Sequence, residues 1–214
     1  MRISFSTVVF FLGCVLLFSP VENQAAQLKQ ALNRYKNVTV SNQALRRLAP
    51  YNSTIAYYAQ FTFFQPKHKV HPDFIRALIL AESDANPNAV SSKGAMGLGQ
   101  IILSTGREAA RELSRSPFTF RHISRNKLAD LRKEDLFNPA VNILLTCYLI
   151  SKYNYKYDGR LEMVISAWNA GENQEEVKKG RHAPYKETIN LIGKVNGYYI
   201  DLIQRRNRLR PGKR

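Results

Sequence analysis

Apolar residues recur at intervals of three and four along most of this chain, and that spacing limits its possible folds more than any other feature. Almost no stretch alternates apolar and polar residues at a period of two. Intervals of three and four place side chains on one face of an α-helix, whereas alternation is typical of a β-strand. The pattern therefore predicts an all-α fold. It occurs at Leu45 and Leu48; Ile55, Tyr58 and Ala59; Ile75, Leu78 and Ile79; Leu144, Leu145, Tyr148 and Leu149; Val164, Ile165 and Trp168; and Ile189, Ile192 and Val195.

Proline, asparagine and glycine mark the ends of the predicted helices. Proline suits the first turn of a helix, while Asn-Pro and Asp-Gly pairs interrupt one. By contrast, the segment 107–135 is polar, charge-rich and weakly periodic, and we expect an insertion or a mobile excursion there. The predicted helices run from Pro72 to about Ser83, from Pro139 to about Tyr153, and from just after Gly159 to Asn169.

The N-terminus has the pattern of a secretory signal peptide. Arg2 precedes an apolar run from Val8 to Phe18, and the small pair Ala25-Ala26 follows. The run is short for a membrane span, although an uncleaved anchor is the alternative. A lipid-modified Cys14 is disfavoured, because the apolar run continues past this residue instead of ending there.

These features divide the chain into four parts and predict that it is exported. The divisions are a signal peptide at 1–26, an N-terminal extension at 27–50, a single domain at 51–200 and a basic tail at 201–214. No membrane insertion is expected after cleavage.

The charge balance points to an anionic partner or surface. The 214 residues contain 32 Lys and Arg against 16 Asp and Glu, for a net charge of +16. The last ten residues hold six of the positive charges, and we expect them to form a solvated tail. No nucleic-acid-binding signature accompanies this charge, so nucleic acid is not expected as a partner.

Cysteine and histidine usage excludes the common metal sites. There are two cysteines, and none of the four histidines forms an i, i+4 pair with another. Neither a disulfide scaffold nor a cysteine-based zinc site is therefore possible, and no metal or cofactor is expected. Catalysis must use carboxylates, hydroxyls or amides.

Glu82 is the most informative candidate for catalysis. It follows Leu78 by four residues and Ile79 by three, so it shares their apolar face at the C-terminal end of the predicted helix. Burial and the negative end of the helix dipole both disfavour the ionised form, which raises the pKa. A carboxyl that stays protonated near neutral pH can act as a general acid. The alternative is a side chain that frays into solvent at the helix end.

A glycine-rich loop follows this helix. Residues 94–100 contain three glycines, which would let a polymer approach the backbone, and end in Gln100, which offers an amide donor and acceptor. The loop lacks the Lys-Ser/Thr ending of a phosphate loop, so nucleotide binding is not expected.

Taken in order, these motifs resemble the soluble, goose-lysozyme-like lytic transglycosylases. The resemblance covers about residues 51–200. Its motifs are the helix at 51–59, the helix at 71–81 with Glu82-Ser83, the segments 86–91 and 94–101, Asn138-Pro139 with Asn142-Ile143, the run 167–171, and the run 184–188.

The resemblance implies a lysozyme-like domain that cleaves the MurNAc-β-1,4-GlcNAc bond of peptidoglycan without water and leaves 1,6-anhydro-MurNAc ends. Glu82 would be the only catalytic carboxyl, acting first as acid and then as base, with the substrate's N-acetyl group stabilising the intermediate. Such a protein would act in the periplasm or at the cell wall, and its partner would be the glycan strands. The substrate-binding residues implied are Ser91, Gly97, Leu98, Gln100, Ile102, Trp168 and Asn169.

Trp168 is the main departure from the family pattern. The family usually has a tyrosine here, and an indole can donate a hydrogen bond but cannot accept one. Trp168 could stack on sugar, or it could be a core aromatic. Two functions stay open beside transglycosylation. One is a hydrolytic muramidase of the same fold, which differs only in whether water is excluded; the other is a wall-binding component of a secretion or assembly machine, with activity weakened by Trp168.

Overall fold

A computed structural model describes residues 20–209, and all of its regular secondary structure is helical. Within that range there is no β-strand, only isolated bridges such as Met96 with Ile101. The all-α prediction is therefore confirmed. The helices are α1 (Pro20–Tyr35), α2 (Asn42–Leu48), α3 (Asn52–Ala59), α4 (Pro72–Ser83), α5 (Leu103–Ser114), α6 (Arg125–Ala129), α7 (Pro139–Lys156), α8 (Leu161–Ala170), α9 (Glu175–Lys178) and α10 (Lys186–Arg208).

Helix α4 has the bounds that its sequence predicts. Pro72 occupies its first turn, and the His71 side chain caps it by accepting a bond from the Asp73 amide at 3.2 Å. The helix ends because Asp84 and Ala85 both adopt positive φ angles, which turn the chain away from the helical path.

Helix α7 is the centre of the core. Asn138 caps it by accepting bonds from two backbone amides, and Pro139 opens it as predicted. Every residue from 141 to 151 is buried, and α3, α5 and α8 all pack on it. Burying a helix on all sides requires an almost continuous apolar run, which residues 141–150 supply.

The expectation of a mobile excursion at 107–135 is wrong. Helix α5 covers its first part, 107–114, and Ala109, Ala110 and Leu113 are buried in the domain. Helix α6 and a 3-10 turn at Lys133–Phe137 follow, and they bury Leu128 and Leu136. The buried face of α5 consists of Gly106, Ala109, Ala110 and Leu113, so the helix is amphipathic but buries only one large apolar side chain, which makes it easy to overlook in the sequence.

The boundary predicted at residue 200 and the solvated tail expected at 205–214 are also incorrect for the residues that the structure describes. Helix α10 continues through residue 200 to Arg208, and Asp201 and Leu202 are buried. Arg205 donates to the Asp201 carboxylate at 2.7 Å and to the Val40 carbonyl at 2.8 Å. These contacts bury Leu202 and satisfy polar groups of Asp201 and Val40, and they stabilise the helix beyond residue 200. Residues 210–214 lie outside the described range.

The N-terminal segment packs against the same helix. Helix α1 runs along α10, where Gly193 and Gly197 permit contact: a Cβ on Gly197 would lie 2.4 Å from the Tyr35 carbonyl oxygen. Most of the predicted signal peptide, including Cys14, lies outside the described residues, and its cleavage stays a prediction. Between residues 20 and 209 no helix combines the length and apolar character needed to cross a bilayer.

Candidate active site

Glu82 lies at the last turn of α4 and faces Trp168 of α8. The indole Nε1 donates a hydrogen bond of 2.7 Å to Glu82 Oε1. Both side chains are partly buried, with Glu82 on the same helix face as the fully buried Leu78 and Ile79. The carboxyl is thus held by a defined donor and does not fray into solvent.

Burial raises the pKa of Glu82 from its ordinary value of 4.5 to about 7. Two neighbours act in the opposite direction, because the Trp168 N–H and the Lys194 ammonium both stabilise the carboxylate; the negative charge of Glu187 raises the pKa further. Desolvation therefore outweighs the stabilising contacts. A carboxyl with this pKa is substantially protonated at neutral pH, as the sequence analysis expects.

Lys194 of α10 supports the helix end that carries Glu82. Its ammonium donates to the Ala81 carbonyl oxygen at 3.0 Å. The last carbonyls of a helix have no partner within it, and a cation there also opposes the negative end of the helix dipole. Lys194 thus contacts the backbone beside Glu82 and acts on its charge.

Six of the eight predicted site residues line one cavity of about 260 Å³. The cavity lies between the end of α4, the glycine-rich loop, α7, α8 and the start of α10. The predicted residues in its wall are Glu82, Ser91, Gln100, Ile102, Trp168 and Asn169. Two of these are fixed by their own contacts: Ser91 Oγ accepts from the Ala95 amide at 3.0 Å, and Asn169 Oδ1 accepts from Thr188 at 2.6 Å.

Gly97 and Leu98 do not reach this cavity. Leu98 is fully buried, and its carbonyl accepts a bond of 2.7 Å from Ser83 Oγ, which joins the loop to the end of α4. Gly97 has a φ of 72°, and a Cβ on it would lie 2.2 Å from the Leu136 carbonyl oxygen. The glycine is required for packing inside the domain, not for the approach of a polymer as the sequence suggested.

Asn142 of α7 holds the glycine-rich loop from below. It is fully buried, its Nδ2 donates to the Met96 and Leu136 carbonyls at 3.0 and 2.8 Å, and its Oδ1 accepts from the Gly99 amide at 2.8 Å. The loop therefore has a fixed shape. Gln100 at its end has a φ of 51° and donates its amide to the Ala89 and Gly97 carbonyls.

Eight residues of the cavity wall are not among those predicted from the sequence, and Glu187 matters most of these. Glu187 is a second carboxylate in the wall, in the first turn of α10, and it forms an ion pair of 2.6 Å with Lys93. Lys93 holds its pKa below the ordinary value. The other missed residues are Ser92, Lys93, Ala95, Ile101, Thr105, Leu149 and Tyr153. They are spread over four segments, and no spacing pattern unites them.

Two further carboxylates near these helices, Asp84 and Glu162, lie outside the cavity. Asp84 forms an ion pair with Arg47, and Glu162 forms one with Arg160. Within the described range, no group of three or more His, Cys, Asp or Glu side chains could hold a metal ion. Glu82 and Glu187 are thus the carboxylates available to a ligand in this cavity.

The sequence model of the Transglycosylase SLT domain matches residues 61–191. A Haemophilus influenzae protein assigned as a soluble lytic murein transglycosylase is 31% identical over 119 residues, which is 56% of this chain and 18% of that protein. The chain therefore spans less than a fifth of that relative.

Solved structures show the same fold. An inactive variant of lytic transglycosylase Slt from Pseudomonas aeruginosa aligns with a TM-score of 0.59 and 21% identity, over 89% of this chain and 31% of the other. The 70 kDa soluble lytic transglycosylase of Escherichia coli aligns with a TM-score of 0.56 and 19% identity, over 86% and 31%. A complex of the 70 kDa soluble lytic transglycosylase with bulgecin A gives a TM-score of 0.58 at the same identity and coverage. The family match and the shared all-α, lysozyme-like fold agree: this chain belongs to the Transglycosylase SLT domain family.

Proposed function

We propose that the protein is an exported murein lytic transglycosylase that cleaves the MurNAc-β-1,4-GlcNAc bond and leaves 1,6-anhydro-MurNAc ends. The observation that carries the proposal is Glu82, a carboxyl with a pKa near 7 held by Trp168 at the wall of a cavity. The family and the names of the relatives support murein as the substrate.

The proposed reaction uses Glu82 twice. The protonated carboxyl donates its proton to the glycosidic oxygen as the C1–O bond breaks, and the substrate's N-acetyl group stabilises the cation at C1. The resulting carboxylate accepts the proton of the muramic 6-hydroxyl while O6 bonds to C1, which closes the anhydro ring without consuming water. Trp168 Nε1–H stabilises the carboxylate between the two steps because it donates to Oε1.

Glu82→Gln tests this assignment, because glutamine keeps the shape and has no proton to donate. We expect release of soluble muropeptides from purified sacculi to fall by about 10²–10⁴, with binding of glycan nearly unchanged. Glu134→Gln, at an exposed site on the 3-10 turn, is the control. Clearing of sacculi by Glu82→Gln at the rate of the wild type would remove Glu82 from the mechanism. Binding of sacculi by the wild type with no product released would favour the wall-binding alternative.

A hydrolytic muramidase is the second candidate, and Glu187 favours it. Glycoside hydrolases use two carboxylates, and Glu187 is ionised and lines the cavity that contains Glu82. Chromatography of the products separates the two functions: anhydro-muropeptides support the transglycosylase, whereas reducing ends support the hydrolase.

Export to the periplasm or the cell wall is part of the proposal. The N-terminal pattern and the net charge of +16 support it, since a basic protein is attracted to an anionic wall. Fractionation of cells and mass analysis of the N-terminus test it. A mature chain that begins near residue 27 is expected, and a cytoplasmic full-length chain would contradict export.

A further inference from the structure

A second, smaller cavity of about 150 Å³ adjoins the one that contains Glu82. The two cavities share three wall residues: Thr105 of α5, and Leu149 and Tyr153 of α7. The remaining wall comes from Glu108 and Ala109 of α5, Lys152 of α7 and residues 171–173 after α8. The two cavities therefore meet at these three side chains, and a ligand in the Glu82 cavity lies beside the second one.

The charge around the second cavity is acidic, in contrast to the chain as a whole. Glu108, Glu172 and Lys152 line the cavity, and Glu112 and Lys156 pair with two of these residues. Lys152 donates to Glu112 at 2.8 and 3.2 Å, and Lys156 pairs with Glu172. Glu108 has only a distant contact, 4.0 Å from the Lys152 ammonium, and its side chain is 70% exposed. The site thus offers a carboxylate to a ligand and has no uncommitted cation to offer.

Tyr153 adds a second kind of polar group to the wall of this cavity. Its side chain is 5% exposed and lines both cavities, and its hydroxyl bonds to no group among residues 20–209. The hydroxyl is not one of the unpartnered atoms that are sealed from solvent, so it opens into a cavity and is free to bond with a ligand. Burial and the nearby Glu172 raise the pKa of Tyr153, so the hydroxyl stays protonated beside the carboxylates.

We propose that this second cavity, defined by Glu108, Tyr153 and Glu172, binds an ammonium group of the substrate. The proposal rests on the proposed function, because that function makes murein the ligand. Murein can carry a free amine in two ways: as a side-chain amino group of its stem peptides, or as an amino sugar that has lost its acetyl group. Both would place an ammonium beside the carboxylates, and the chain's overall positive charge would otherwise oppose such a ligand.

Calorimetric binding of glycan strands to the Glu82→Gln variant tests the site without turnover. Native strands are compared with strands whose amines are acetylated. We expect acetylation to weaken binding about tenfold, the value of one charge-assisted hydrogen bond. Introducing Glu108→Gln or Glu172→Gln into the Glu82→Gln variant should weaken its binding of native strands to a similar extent. Native and acetylated strands should then bind with equal affinity. Glu134→Gln should change nothing. Equal affinity for native and acetylated strands would overturn the proposal.

Two further strand preparations identify the source of the amine. Removing the stem peptides should weaken binding if the peptide supplies the amine, whereas acetylating strands already stripped of their stem peptides should weaken it if the sugar supplies the amine. The proposed function can fail while the ammonium site stands. In that case the wild-type protein releases no product from any strand, but the Glu82→Gln variant still binds native strands more tightly than acetylated ones. Failure of all strands to bind would overturn both.

Discussion

At the scale of single residues, the hydrogen bond between Trp168 and Glu82 decides how acidic the candidate catalytic group is. The sequence places Trp168 at the end of α8, with a sugar-stacking role and a core role both open. In the structure its indole is partly buried, lines the cavity and donates to Glu82 Oε1 at 2.7 Å. A donor at this distance stabilises the ionised carboxylate and limits the rise in pKa that burial causes.

Trp168→Phe removes this donor and keeps an aromatic ring. We expect the pKa of Glu82 to rise further by about one to two units, because a hydrogen bond to a charged group contributes about 1.5–3 kcal/mol. The acid then stays protonated to higher pH, so the alkaline limb of the pH–activity profile should move upward. The control is Tyr155→Phe, because Tyr155 is an exposed aromatic residue on a different helix, α7, and does not line the cavity. An unchanged alkaline limb would mean that Trp168 does not tune the acid.

Glu82 should also make the stability of the protein depend on pH. Its pKa is raised in the folded state from 4.5 to about 7, so the folded chain binds this proton more tightly than the unfolded chain. The resulting stabilisation is complete below about pH 4.5 and is lost as the pH rises through 7. Glu82→Gln should therefore raise the free energy of unfolding at pH 8 by about 1–3 kcal/mol and change it little at pH 4.5. Denaturant titrations at the two pH values measure this, and equal effects at both would contradict it.

At the scale of elements, one buried side chain of α7 determines the shape of the glycine-rich loop. Asn142 satisfies two carbonyls and one amide of surrounding backbone, all of them away from water. The two glycines above it, Gly97 and Gly99, have no space for a Cβ against Asn142 and Thr146. The glycine-rich loop and α7 are therefore complementary in shape and in hydrogen bonding. This packing gives Ser91 and Gln100 a fixed backbone position at the cavity.

Asn142→Ala should destabilise the fold by about 2–5 kcal/mol, since it leaves buried backbone groups without partners. Asn154→Ala is the matched control, because it lies on the same helix and its side chain is only partly buried. Thermal unfolding compares the two variants, and we expect the melting temperature to fall only for Asn142→Ala. Equal, small changes in both would show that the loop does not depend on Asn142.

At the scale of the whole molecule, the positive charge of the C-terminus has two different roles. Arg205 and Arg206 pair with the buried carboxylates Asp201 and Asp73, so they belong to the fold. The three positive charges of residues 210–214 lie beyond the described range and add to the net charge of +16. We expect the charges of residues 210–214 to act through long-range electrostatic attraction, which salt screens.

Two truncations separate these roles. Removing residues 210–214 should leave the melting temperature unchanged, weaken sacculus binding at low salt and make its salt dependence shallower, with the rate on short glycans unaltered. Removing residues 205–214 should in addition lower stability by about 3–5 kcal/mol, because buried Asp201 loses its ion pair with Arg205 and buried Asp73 keeps Arg76 but loses Arg206. A wild-type melting temperature for the longer truncation would contradict the structural role of Arg205 and Arg206.

The spacing of apolar residues and the placement of proline predict the all-α fold, the bounds of α4 and the direction in which Glu82 points. These are local properties, since a helix is set by contacts three and four residues apart. The sequence also predicts the family, because its motifs lie in a fixed order along the chain. It does not predict the packed helix α5, whose buried face has only one large apolar residue. It also does not predict the continuation of α10 past residue 200, whose partners Val40 and Asp73 are more than 130 positions away. The roles of Gly97, Glu187 and Tyr153 likewise depend on the tertiary structure, because a close approach, an ion pair across a cavity and a buried hydroxyl arise only when distant segments meet.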